Sequence, residues 1–162
     1  MGTETSRLRA GWSIVCRRSG LLGLVLGLGL LAALAAGSVA AQSALVINSD
    51  RGGVLNQYAQ RVSQLSQSGQ RVELRGTCYS ACTMYLGLRN VCIHPNARFG
   101  FHGPSRRGRP LPLQEFDRWS HMMANHYREP LRSWFLSTAR HQISGYHRLS
   151  GAQLISMGYP RC

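Results

Sequence analysis

Apolar and polar positions alternate in blocks along the chain, and the length of each block predicts an element. Residues 44–47 are a short apolar run of β type, and residues 48–53, Asn-Ser-Asp-Arg-Gly-Gly, are a turn. Leu55, Tyr58, Ala59, Val62 and Leu65 then recur at helical spacing until Ser68-Gly69 stops them. The order strand, glycine turn, helix repeats: residues 72–74 predict a second strand, residues 76–80 a second turn, and Ala81, Met84, Tyr85 and Leu88 the buried face of a second helix. Residues 91–93 and 98–102 read as further strands around a Pro95-Asn96 turn. A basic glycine-proline loop at 103–112 leads into a helical region through Arg140. The last helix starts at Ser150, where Ser-x-x-Gln153 is a capping box, and ends at Gly158. Strands alternating with helices predict the α/β class, a layered sheet with flanking helices. In such folds ligands sit where the turns lead from strand to helix.

Ahead of these blocks lies an apolar run of another kind. Arg7, Arg9, Arg17 and Arg18 precede an unbroken stretch of Leu, Gly, Val and Ala over residues 21–36, and Ser38-Val39-Ala40 offers a cleavage site for a signal peptidase. The expected division is a leader at 1–41 and one domain at 42–162. A run of about sixteen apolar residues falls short of the roughly 20 that span a bilayer, so removal is favoured over a permanent anchor. The expected location is periplasmic or secreted, or membrane-anchored if the leader stays.

Composition supports export and narrows the partners. The 162 residues contain no lysine; fifteen arginines after the leader face five carboxylates, leaving a net charge of +10. Such a surplus attracts anionic ligands or membrane headgroups without specifying a fold. The arginines are scattered and accompany no zinc-finger or RNA-recognition signature, so no specific nucleic acid is expected. Cys16 lies in the leader; Cys78, Cys82, Cys92 and Cys162 follow it, an even number suited to two disulfides in an oxidising compartment. A zinc site is the alternative, but no second cysteine pair stands at ribbon or finger spacing, and neither metal nor cofactor is expected. Three pairings are open. The expected contact is Cys82 with Cys92, on a helix start and the strand returning beside it, with Cys78 and Cys162 as companions.

Two turns carry candidate chemistry. Gly52-Gly53 opens the first helix, where backbone N–H groups can approach an anionic oxygen. Ser80 opens the second, with its hydroxyl exposed beside the amide of Ala81. His102, at a strand end before a glycine-rich loop, is the best-placed base. Taken singly, Ser80 reads as a helix cap, Gly52-Gly53 as a plain turn and His102 as a surface histidine. The other histidines, His94, His121, His126, His141 and His147, have no matching acid and read as structural.

In combination these segments resemble the Clp protease proteolytic subunit and its crotonase-like superfamily. Residues 47–53 look like that family's Asn-Ser-Pro-Gly-Gly stretch, with Asp-Arg in place of proline, and residues 76–81 resemble its Gly-x-x-x-Ser-Met nucleophile turn. Pro95-Asn96-Ala97-Arg98 and Phe101-His102-Gly103-Pro104 resemble its Pro-Asn-Ser-Arg and His-Gln-Pro segment, and residues 149–159 its closing helix. The Cys-x-Ser-Ala-Cys form looks like an exported, cysteine-bearing branch. The resemblance implies a minimal version of that fold and a serine hydrolase of peptidase type acting on a peptide or acyl substrate, with homo-oligomers allowed. It makes Ser80 the nucleophile and His102 the base, about 3–5 Å apart, with an oxyanion hole at Gly52, Gly53 and Ala81.

The departures point to weak activity. The family's aspartate falls at Tyr146, and no acid follows Glu129. An unoriented histidine can cost about 10⁴ in rate. Asp117 substitutes only if its helix folds back over His102. A non-catalytic peptide- or acyl-binding protein on the same fold is the alternative. The serine–lysine mechanism of the related signal-peptide peptidases is excluded by the lack of lysine.

Overall fold

The computed structural model describes residues 42–162; the leader and Cys16 lie outside the described residues. Five strands and four α-helices follow one another: β1 (Leu45–Asp50), α1 (Leu55–Ser68), β2 (Val72–Tyr79), β3 (Val91–Ile93), β4 (Arg98–Phe101), α2 (Leu113–Ala124), α3 (Leu131–Ser137), β5 (His147–Ser150) and α4 (Gly151–Ser156). A 3-10 helix, Ser80–Gly87, follows β2. The class is α/β, built on one mixed sheet. Among the described residues no helix is long and apolar enough to cross a membrane.

β2 is the sheet's centre because it is paired along both edges. β1 runs parallel along one edge, while β3 takes the first half of the other and β4 the second half. β5 closes the sheet antiparallel to β4. Double pairing explains why β2 continues through Gly76, where a turn was expected: Thr77, Cys78 and Tyr79 each have neighbours in the ladder on both sides or on the β4 side. Gly76 itself fits at the register break between Ile47 and Ser49, since a Cβ there would strike the Asn48 carbonyl. β1 likewise runs on to Asp50, past the expected end at Ile47.

The segment after Ser80 is wound more tightly than the expected α-helix and is buried all round, from Ala81 to Leu86. An element apolar on every side has no face for water and belongs in a core. The Thr83 hydroxyl donates to the Ser80 carbonyl at 2.7 Å, fixing the first turn. Around it pack Val72 and Leu74 of β2, Phe99 and Phe101 of β4, and Leu131 and Phe135 of α3, all fully buried. Phe101 meets Tyr127 and Trp134 edge-on, with ring centroids 5.7 and 5.5 Å apart. The helical region expected through Arg140 is α2 and α3 with a 3-10 turn at Ala139–His141: the chain leaves α2 through tight turns at His126 and Tyr127, and Pro130, which lacks an N–H, caps the start of α3. At α4 the capping box is present: the Ser150 hydroxyl accepts the Gln153 N–H, and the Gln153 side chain accepts the Ser150 N–H at 2.8 Å.

Both disulfides form, with a pairing other than the expected one. Cys78 bonds Cys82, with Cα atoms 5.3 Å apart, and Cys92 bonds Cys162, at 4.9 Å. The sharp turn at Ser80 brings residues four apart back within bonding distance. Cys92 is instead on a strand whose free edge receives the C-terminal tail: the Ile93 N–H donates to the Pro160 carbonyl and the Cys162 N–H to the Ile93 carbonyl. Two disulfides indicate an oxidising, extracytoplasmic environment.

Candidate active site

The sheet brings three strand ends side by side. Asp50 of β1 pairs with Cys78 of β2, and Tyr79 of β2 pairs with Gly100 of β4, so the residues just beyond each strand converge. Those residues are Arg51 to Gly53, Ser80 and His102. They line one cavity of about 240 Å³.

Ser80 turns the chain in a single residue, at φ 58°. This left-handed conformation is uncommon for a residue with a side chain and costs about 1–2 kcal/mol. The ladder up to Tyr79, the Cys78–Cys82 bond and the Thr83 hydroxyl on the Ser80 carbonyl hold it there. Strain of this kind, over-determined by its surroundings, is a property of functional turns. Gly52 makes the turn possible from the other side. Its φ is 80°, and a Cβ at that position would sit 2.7 Å from the Ala81 nitrogen, the Ser80 Cβ and the Tyr79 carbonyl.

The Ser80 Oγ and the His102 Nε2 are 2.7 Å apart, a hydrogen bond. Burial lowers the His102 pKa below its ordinary value; the Gly103 backbone opposes this to a smaller extent without reaching hydrogen-bond geometry with Nδ1. The ring is therefore neutral at pH 7, as a base must be. For Nε2 to accept the serine proton, the ring's own proton must sit on Nδ1. That atom is buried and has no partner among the described residues. An orphaned buried donor costs about 1–3 kcal/mol, a penalty that grows as the ring becomes charged.

Among the described residues no carboxylate serves as the third member. Asp117 is engaged by Arg140 at 2.8 Å. Tyr146 stands beside the imidazole, ring centroids 5.2 Å apart at 77°, and stacks on Tyr79 at 4.8 Å.

The three candidate oxyanion donors differ. The Gly52 N–H is taken by the Asp50 carboxylate at 2.8 Å. Among the described residues the Gly53 and Ala81 N–H groups make no hydrogen bond, but only Gly53 lines the cavity and can meet an anionic oxygen there; Ala81, expected as a donor, is fully buried against Gly52. Asp50 itself was not singled out in the sequence. Its Oδ1 also accepts the Tyr58 hydroxyl at 2.6 Å, and burial together with that bond pushes the Tyr58 pKa up, keeping it a donor. The legible signal was an aspartate two residues before a turn glycine, the pattern in which the side chain caps its own turn. Compared with known proteins, the chain matches no family model and no curated protein is similar enough to count as a match.

Proposed function

We propose that the protein is an extracytoplasmic serine hydrolase of peptidase type, using Ser80 as nucleophile and His102 as general base. The observation that carries the reading is the 2.7 Å bond from Oγ to Nε2 in a cavity that Gly53, with its N–H unpaired among the described residues, also lines. Ser80 Oγ attacks the substrate carbonyl and its proton passes to Nε2. The carbonyl oxygen takes the negative charge next to the Gly53 N–H. As the intermediate collapses, the imidazolium returns the proton to the leaving amine, and water, deprotonated in turn by His102, releases the acyl group from Ser80. The resemblance of the Gly52-Gly53, Ser80 and His102 segments to the Clp protease and crotonase-like superfamily supports this assignment, since those segments surround the cavity. Export to a periplasmic or secreted location is part of the same reading.

The unpartnered Nδ1 favours a second reading, a binding protein that keeps the cleft and holds a peptide or acyl ligand without cleaving it. Labelling of the purified protein with a fluorophosphonate probe separates the two. A hydrolase labels at Ser80, and Ser80→Ala and His102→Ala each abolish the signal, because the pair acts as one unit. Failure of the folded wild type to label between about pH 6 and 9 favours the binding protein.

A further inference from the structure

The cleft continues beyond Ser80. A second cavity of about 460 Å³ shares Gly53, Leu55, Pro104 and Ser105 with the first. Leu55, Leu111 and Trp119 give it an apolar lining large enough for a bulky side chain, and Arg106, Arg107 and Glu115 add charge. The three charges are not equivalent. Arg106 is spent on Glu115, at 3.0 Å. Arg107 in this cavity and Arg51 in the catalytic one are exposed and, among the described residues, have no carboxylate partner.

The backbone under Arg107 makes its presence informative. Arg106 and Arg109 exchange N–H to carbonyl bonds at 2.9 and 3.1 Å, which leaves Arg107 and Gly108 as a two-residue turn with φ of 53° and 76°. Positive φ at both places defines the hairpin turn that prefers Asn, Asp or Gly at its first position. Arginine is a poor choice there for the turn, yet its charge is delivered to the mouth of an apolar cavity next to the serine.

We propose that this cleft selects an anionic peptide, with a large apolar side chain in the Leu55, Leu111 and Trp119 cavity and a neighbouring carboxylate met by Arg51 and Arg107. The proposal rests on the reading of the cleft as a peptide site but not on turnover. One side-chain-sized cavity with cations beside it suits a Glu-Leu or Glu-Phe pair better than the paired chains of a lipid. An exposed guanidinium near a carboxylate contributes on the order of several-fold in affinity, and less as salt screens it.

The test uses the full chain carrying Ser80→Ala, which cannot react, so its result stands apart from fluorophosphonate labelling of the wild type. Acetyl-Gly-Glu-Leu-Gly-amide and its Gln counterpart are titrated while the Trp119 indole resonance is followed. The Glu peptide binds about tenfold more tightly at low ionic strength, and the difference closes in about 0.5 M salt. Arg107→Asn, which gives the turn a preferred residue, lowers Glu-peptide affinity several-fold while the melting temperature stays level or rises. Equal affinities for the two peptides, an Arg107→Asn variant that binds as before, or no saturable shift up to about 10 mM peptide each overturn the proposal. So does Arg107-dependent binding to anionic phospholipid vesicles by a protein that ignores the Glu peptide, which would make the ligand a membrane.

Discussion

Tyr146 stands edge-on to His102, ring centroids 5.2 Å apart, where the resemblance to Clp-type proteases implies an aspartate. An aromatic edge fills the space but offers Nδ1 no acceptor. Tyr146→Asp supplies one on a strand-flanking position that is already partly exposed, so the charge stays hydrated. The expected outcome is a rise of about tenfold or more in fluorophosphonate labelling rate, a small part of the about 10⁴ that a well-placed carboxylate can give. Tyr146→Phe keeps the packing and leaves the rate unchanged, so the pair of variants separates orientation from shape.

His102 and His126 both have pKa values lowered by burial, and this fixes the sign of the pH dependence. The unfolded chain protonates each near pH 6.5, before the folded protein does. Stability from both is therefore complete above about pH 6.5 and declines as the pH falls below it, toward the lower folded values. Labelling follows the neutral form of His102, so its acid limb also lies below about pH 6.5. Denaturant melts and labelling rates taken at pH 5 to 8 check both. His126→Gln reduces the stability slope and leaves the labelling limb in place.

The first four strands and α1 were legible because each block carried its own periodicity, and the capping box at Ser150 was legible because it is local. What was not legible depends on neighbours distant in sequence. The β2 strand runs through Gly76 because β1 and β4 supply partners there, which outweighs the glycine's preference for a turn. β5 was not anticipated, since His147–Ser150 is half-exposed and gains its strand character from β4 alone. The cysteine pairing turned on the left-handed Ser80 and on a tail that pairs with β3, neither of which residue spacing encodes. Pro130 was a local signal that the reading of one helical region through Arg140 passed over.

The two disulfides divide labour. Cys92–Cys162 closes residues 70 apart, and loop-closure entropy gives it about 4 kcal/mol, against about 2 kcal/mol for Cys78–Cys82 with a separation of 4. Only the shorter one spans Ser80 and helps to hold its strained φ. Replacing Cys92 and Cys162 with serine should lower stability more and leave labelling per folded molecule intact. Replacing Cys78 and Cys82 should lower stability less and cut labelling by about tenfold or more. Denaturant midpoints and labelling rates on the two double variants read the two effects separately.

Asp50 acts on the site through Gly52 rather than on substrate. Its carboxylate holds the Gly52 N–H and the Tyr58 hydroxyl, tying the glycine turn to α1 and fixing the backbone that leads into Gly53, which lines the cavity with Ser80. Asp50→Ala removes the one carboxylate oxygen that accepts both bonds, leaves the Tyr58 hydroxyl half-buried without its partner, and frees the turn. These two bonds are only partly buried and contribute about 1–2 kcal/mol each, so the expected stability loss is about 2–4 kcal/mol. Loss of one aligned oxyanion donor lowers reaction at the serine by about 10²-fold. Tyr58→Phe is the control, because it takes away one donor while the carboxylate keeps Gly52 in place. It should cost about 1–2 kcal/mol in stability and leave the labelling rate within about threefold of wild type. Equal labelling losses in the two variants would show that Asp50 matters to the site only through stability.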